Sequence, residues 1–237
     1  MTTPTGPAAT TPSDTPRDVL AEVFDAVLLD MDGTLISSTR SVERCWLRLA
    51  QEFGMPTDDL SPFGFHGVPA RDIVDLLLPD APAEVRAAAL DRVVELEVAD
   101  TEGIEELPGA GDALTLLGAA GRAALVTSCG RRLAAARVGA VGLAVPSAVV
   151  TADDVARGKP DPEPYLAGAA LLGADPRRCL VVEDAASGVA AGRAAGAATL
   201  GLRTTEPCGP AGADLVVADL AAVRFSVEED GVRVHLR

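Results

Sequence analysis

Six short apolar runs constrain this chain more than any other feature. They are VFDAVLLD at 23–30, RAALVT at 122–127, SAVVT at 147–151, RCLVVED at 178–184, ATLGL at 198–202 and DLVV at 214–217. Each is nearly continuous in Val, Leu and Ala rather than alternating with polar residues. Continuity of that kind marks strands buried on both faces, as in a parallel sheet. A helix-like stretch precedes each of the second to fifth runs. GDALTLLGAAG is closed by Gly121, and a helix from Arg131 to Val138 follows. DPEPYLAGAALLG carries proline in its first turn, and the small residues of AASGVAAGRAAG suit close packing on a sheet. Strands alternating with helices give an α/β fold, a parallel sheet with helices on both faces.

After the first run the alternation breaks. Ser41 to Phe53 has Val42, Cys45, Trp46 and Leu49 at helical spacing and is stopped by Gly54 and Pro56. Asp72 to Leu78 and Ala83 to Ala99 also read as helices. Residues 38–105 therefore form a helical block inserted into an α/β core of residues 21–37 and 106–237. Residues 1–20 are rich in Thr and Pro and read as a flexible tail. The C-terminal VRFSVEEDGVRVHLR alternates on both sides of Asp230-Gly231, a hairpin signal.

Composition removes several function classes. With 20 Lys+Arg against 35 Asp+Glu the formal net charge is −15, and only 3% of residues are aromatic. Nucleic acid and anionic membrane surfaces are poor partners for such a chain. A small phosphorylated substrate remains open, provided a metal and a few local cations offset the field. Cys45, Cys129, Cys179 and Cys208 lie far apart with no C-x-x-C pair, which reads as reduced thiols rather than a zinc ribbon or a disulfide framework. No apolar run reaches membrane-spanning length and the N-terminus lacks a signal-like segment, so a cytoplasmic address is expected.

In open parallel sheets, ligands sit beyond the carboxyl ends of the strands. The first run ends on Asp30 and Asp32, the second on Thr127 and Ser128, and the fourth on Glu183 and Asp184. Lys159 follows the third, within RGKPDPEPY. Four carboxylates in one crevice repel each other and raise their own pKa values. A hard divalent cation relieves this, and oxygen ligands with room for water suit Mg²⁺. Asp30, on the metal, stays ionised and can be a nucleophile. Asp32, off the metal, can hold a proton and act as general acid. Gly33 lets the backbone turn and present N–H groups to phosphate oxygens. Taken singly, each feature has a plainer meaning: Thr127-Ser128 a helix cap, Lys159 a surface lysine, Glu183-Asp184 a favourable charge at a helix start. Their conjunction at successive strand ends favours the chemical reading.

These residues resemble the haloacid dehalogenase superfamily. The resemblance rests on DMDGTL at 30–35, VTS at 126–128, GKPDPEPY at 158–165 and VVEDAASGVAAG at 181–192, and runs over nearly the whole chain from about residue 22. More narrowly, the chain resembles sugar phosphatases and the related 2-deoxyglucose-6-phosphate and glycerol-3-phosphate phosphatases. The resemblance implies a Rossmann-like core with an inserted helical cap of the C1 type. It implies an aspartyl-phosphate on Asp30, with Asp32 protonating the leaving alcohol and then activating water. It assigns phosphate oxygens to Thr127 and Ser128, charge neutralisation to Lys159, and a Mg²⁺ site to Asp30, the Asp32 carbonyl, Asp184 and Glu183.

The β-phosphoglucomutase branch of the superfamily carries a histidine near the start of the first cap helix. Val42 takes that place here, which favours hydrolysis over a mutase. His66, within FHG, falls in the segment resembling the substrate-specificity loop, where it either bonds a substrate hydroxyl or orders the loop. The expected function is Mg²⁺-dependent hydrolysis of a small sugar or polyol monophosphate. A phosphosugar mutase and a non-catalytic metabolite-binding protein stand as the alternatives.

Overall fold

The computed structural model describes residues 15–55 and 70–237. Its centre is a six-stranded parallel sheet of β1 (Ala26–Leu29), β4 (Ala123–Val126), β5 (Ala148–Val150), β6 (Cys179–Glu183), β7 (Ala198–Leu202) and β8 (Leu215–Val217). Their spatial order is β5-β4-β1-β6-β7-β8. Every residue of β1, β4, β6 and β7 is buried, which is why these runs carry no polar alternation.

The two faces of the sheet feed two cores. Val27, Leu29, Leu125, Leu180 and Val182 point to one side. There they meet Leu114 and Leu117 of α4 (Ala110–Ala119) and Ala134 and Val138 of α5 (Arg131–Val141). Ala26, Leu28, Ala124, Val126 and Val181 point to the other. There they meet Tyr165 and Ala169 of α6 (Glu163–Leu171) and Ala191 of α7 (Ala186–Ala194). The glycines of α6 and α7 set the close spacing on that second face. A Cβ on Gly168 would lie 2.9 Å from Val126, and one on Gly192 3.0 Å from Val181.

Between β1 and α4 the chain builds a separate helical unit. It leaves through β2 (Ile36–Ser37) and returns through β3 (Glu105–Glu106), two short strands that pair antiparallel. Neither has a sequence signal, since each is only two residues long. Between them lie α1 (Thr39–Phe53), α2 (Ala70–Leu77) and α3 (Ala83–Ala99). These pack around their own core, with Cys45, Trp46 and Leu49 of α1 against Ile73 and Val74 of α2 and Val93 and Leu96 of α3. Gly54, at φ 64°, closes α1 in the left-handed conformation that only glycine adopts without strain.

Two expectations change. The N-terminal segment read as a tail is fastened before residue 20. Val19 is 2% exposed within the core, Arg17 bonds Glu22 and the carbonyls of Gly196 and Arg177, and its backbone N–H reaches Asp214. Pro and Thr content signalled a coil, but one buried valine and one arginine dock it. The C-terminal hairpin of β9 (Val223–Glu228) and β10 (Gly231–Leu236) turns at Glu229-Asp230, because Gly231 already pairs with Glu228. Gly231 serves a close approach instead: a Cβ there would lie 2.4 Å from the Phe24 carbonyl oxygen. Among the described residues no helix is long and apolar enough to cross a membrane.

Candidate active site

The strand register assembles the site. Leu29 of β1 pairs with Leu125 of β4 and with Val182 of β6, so Asp30 emerges level with Val126 and Glu183. Thr127 and Asp184 follow one residue further on. All four leave the same edge of the sheet. Asp30, Asp32, Thr127, Ser128, Lys159, Glu183 and Asp184 line one cleft of about 250 Å³.

Lys159 is the hub of the cleft floor. Its Nζ lies 2.5 Å from Asp30 Oδ1, 2.7 Å from Glu183 Oε1 and 3.1 Å from the Val126 carbonyl. The Tyr165 ring sits 5.0 Å from that ammonium, and the Tyr165 hydroxyl donates to Glu183 Oε1 at 2.7 Å. Glu183 Oε2 accepts the N–H groups of Asp184 and Ala185, both at 3.1 Å. The Glu183 carboxylate thus meets four donors, which fills its usual capacity. It seats directly over α7, where a Cβ on Gly188 would lie 1.7 Å from its Oε1.

Asp184 accepts from the hydroxyls of Thr34, at 3.5 Å, and Thr205. Gly33, at φ +84°, passes so close that a Cβ there would lie 1.9 Å from Asp184 Oδ2. Thr204 donates to the Gly33 carbonyl and pins the turn. Thr127 is buried and its hydroxyl accepts the Cys129 N–H at 3.1 Å, while Ser128 is exposed at the cleft.

Charge does not balance on this floor. Three buried carboxylates face one ammonium. Burial, with the charges of Glu183 and Asp184, pushes the Asp30 carboxyl well above its ordinary value despite the pull of Lys159. Burial and Glu183 push Asp184 up to about 7, against the Thr205 bond and Lys159. Burial also disfavours the Lys159 charge, but Asp30 and Glu183 outweigh it and hold the ammonium firmly protonated. One ligand atom each from Asp30, Glu183 and Asp184 lie within 4.8 Å of one another. A hard divalent cation suits three clustered carboxylates whose combined charge exceeds that of their one cationic neighbour.

Asp32 lives in different surroundings. It is half-buried, and Ser38 donates to its Oδ1 at 2.6 Å. Its Oδ2 accepts from Arg137 Nη1 at 2.8 Å and from the Cys129 thiol at 3.3 Å. Arg137 in turn reaches Glu97 of α3 through Nη2 at 3.0 Å. The Trp46 indole also donates to Glu97. Burial, then the Asp32 charge, pushes the Cys129 thiol up, so it stays protonated. From the helical unit Val42, Trp46, Ile73, Val93, Val94 and Glu97 complete the cleft.

A model of the haloacid dehalogenase-like hydrolase family matches residues 24–196. The chain belongs to that family. Among its relatives, hexitol phosphatase A of Escherichia coli strain K12 is 43% identical over 71% of this chain and 78% of that protein. The 2-deoxyglucose-6-phosphate phosphatase 1 of Saccharomyces cerevisiae is 31% identical over 90% of this chain and 95% of that one. Among solved structures, a β-phosphoglucomutase from Clostridium difficile superimposes with a TM-score of 0.69, over 85% of this chain and 94% of that one. At 20% identity that likeness concerns the fold alone.

The hydrolase's four motifs thus converge in space. His66 lies outside the described residues. Tyr165, Ser38, Thr205, Gly188, Glu97 and Arg137 are site neighbours that reading the sequence missed. Tyr165 and Gly188 sat inside quoted motifs and were read only as helix residues. Arg137 had no signal at all, being one arginine in an alanine-rich helix. Trp46, one of the residues at helical spacing in α1, is buried and also turns its polar edge to the cleft carboxylate Glu97.

Proposed function

We propose that this hydrolase is a Mg²⁺-dependent phosphatase of a small sugar or polyol monophosphate, working through a phosphorylated Asp30. One observation carries the reading: two aspartates, two residues apart, have opposite surroundings. Asp30 is buried beside a lysine and two further carboxylates, with Lys159 fixing its Oδ1. Asp32 is half-buried at the cleft, held by a hydroxyl, a thiol and a guanidinium. Separated environments of this kind assign different roles to paired carboxylates.

In this reading Asp30 and Asp184 hold the metal with the Asp32 carbonyl. Glu183 shares their cluster, but its lone pairs already face Lys159, Tyr165 and two backbone amides, so its work is to fix Lys159 and the Asp184 loop. When bound, the cation supplies charge neutralisation and orientation for the phosphoryl group. The Asp30 carboxylate attacks phosphorus as the bond to the leaving oxygen breaks, and Asp32 gives that oxygen its proton. Asp32, now a carboxylate, takes a proton from the water that displaces phosphate from Asp30. Thr127 and the Ser128 amide hold phosphate oxygens, and Gly33 shapes the turn that admits them. The helical unit, residues 38–105, acts as a cap over the cleft.

The relatives' named substrates, a hexitol phosphate and 2-deoxyglucose-6-phosphate, support a small polyhydroxylated leaving group. So does a cleft of about 250 Å³ lined jointly by the sheet edge and the helical unit, a size that suits a small ligand. The test is phosphate release from hexitol, hexose, deoxyhexose, pentose and glycerol phosphates, with Mg²⁺ and with EDTA. Metal-dependent release is expected. Conversion of β-glucose-1-phosphate to glucose-6-phosphate without release would establish a mutase instead. Silence from a folded, Mg²⁺-binding protein across the panel would leave the binding-protein reading.

A further inference from the structure

We propose that Arg137 is a positioning residue for Asp32, and that Glu97 of the helical unit holds Arg137 in its working rotamer. The inference rests on the reading of Asp32 as the acid that protonates the leaving alcohol.

Arg137 is 4% exposed, and three parts of the chain meet on its guanidinium. Nη1 reaches Asp32, in the turn after β1, at 2.8 Å, and Cys129, after β4, at 3.1 Å. Nη2 reaches Glu97, on α3, at 3.0 Å. Nε has no partner. Burying a guanidinium is costly, and an unsatisfied donor adds to the cost, so apolar side chains of similar size at both Arg137 and Glu97 would serve packing at least as well as this buried pair. Stability therefore does not explain this arginine. Geometry does: it locks both the position and the rotation of the Asp32 carboxylate.

The lock also chooses an oxygen. A guanidinium only donates, so Oδ2, facing Nη1, must remain an acceptor. The transferable proton then belongs on Oδ1, whose partner Ser38 is a hydroxyl that can donate or accept. An acid free to rotate would present either oxygen. Glu97 extends the arrangement across the cleft, because it comes from α3 while Arg137 comes from α5. With the two helices packed as here, Arg137 cannot swing away from Asp32 without breaking a buried ion pair. The acid is thus set only when the helical unit lies against the core.

The test compares leaving groups on the Mg²⁺-loaded full chain. An alkyl monoester, glycerol or hexitol phosphate, needs its leaving oxygen protonated. p-Nitrophenyl phosphate does not, and kcat/KM reports the step that releases it. For Arg137→Met we expect kcat/KM on the alkyl ester to fall roughly tenfold to a hundredfold. The same variant should stay within about threefold of wild type on the aryl ester. Glu97→Met should show the same selectivity, and Arg137→Lys, keeping one donor, should recover part of the loss. Should Arg137→Met give no folded protein, Arg137→Lys against Arg137→Gln makes the same comparison. Asp32→Asn is the reference. If it shows no leaving-group selectivity, the acid reading itself fails. If it does, while the Arg137 variants lose both substrates equally or lose nothing, the positioning role is overturned and the acid reading stands. Equal losses on both substrates for Glu97→Met would remove the helical unit from the arrangement.

Discussion

The uneven charge on the cleft floor makes metal-free stability depend on pH in an unusual direction. Asp184 has an ordinary carboxyl pKa of 3.8 in the unfolded chain and about 7 when folded, chiefly because it is buried and secondly because Glu183 is beside it. A raised folded pKa means the folded chain keeps a proton that the unfolded chain has lost. Stability therefore falls as pH rises from about 4 to 7, then levels off. Each pH unit well inside that window is worth about 1.4 kcal/mol, and because the slope halves by pH 7 the fall from pH 5 to pH 7 is about 2 kcal/mol. For a chain of this size that corresponds to about 4–8 °C in Tm. Asp30 is pushed in the same direction and adds to the effect.

The competing groups titrate elsewhere. Glu52 and Asp175 are pulled down to about 2 by arginines, so they are fully ionised before pH 5. The assay is thermal unfolding at pH 5, 6, 7 and 8 in EDTA, repeated in excess Mg²⁺. In EDTA, Tm should fall toward pH 7 and then flatten. Mg²⁺ should stabilise most at high pH, by about 2.7 kcal/mol at a hundred times its Kd, and little at pH 5, where protons compete for the same oxygens. Asp184→Asn should lose its share of the slope. A Tm that rises or stays level from pH 5 to 7 in EDTA would refute the reasoning, as would an Asp184→Asn slope equal to wild type.

The other substitutions have equally definite outcomes. Asp30→Asn should lower phosphate release by at least roughly a thousandfold while circular dichroism and Tm report an intact fold. Lys159→Met strands Asp30 and Glu183 without their cation, and should cost about 3–5 kcal/mol in EDTA at pH 8 as well as turnover; urea unfolding reads the first. Gly188→Ala separates two meanings of a helical glycine. A weak helix residue would gain about 1 kcal/mol from alanine, whereas the 1.7 Å approach to Glu183 predicts a loss of stability and of activity together. Inorganic phosphate should give a calorimetric binding signal with Mg²⁺ present and none in EDTA.

How much of this was legible in the sequence depends on where each residue's signal lay. Buried parallel strands announce themselves, because residues such as Val27 to Leu29 and Leu180 to Val182 must be apolar on both faces. Once the strands are found, their ends follow, and with them Asp30, Thr127, Glu183 and Asp184. The two-residue strands β2 and β3 are too short to carry a pattern, so the ribbon joining the helical unit to the core was invisible. Arg137 and Glu97 stayed hidden for another reason. Arg137 is one of three arginines on α5 and Glu97 one of six charged residues on α3, with no motif to single out either, and only the packing of α3 against α5 brings Glu97 across a gap of 40 residues to Arg137. Gly231 shows the converse: Asp-Gly has a strong local meaning as a turn, yet contact with Phe24, far away in sequence, decided its place.

The same logic explains how a chain of net charge −15 serves a phosphate ester. Its surface offers the substrate no attraction, and the metal-free floor repels it, with three carboxylates set against one lysine. Arg137 does not compensate that floor, because Asp32 and Glu97 already engage it. Lys159 is likewise engaged by Asp30 and Glu183. Among the described residues lining the cleft, neither basic side chain is left over for phosphate. In the proposed function, recognition of the phosphoryl group therefore falls to backbone and hydroxyl donors around Gly33, Thr127 and Ser128, acting with a divalent cation held by Asp30 and Asp184. In that proposal the cation would complete the phosphate site, and the carboxylate excess that destabilises the metal-free floor would make its binding favourable.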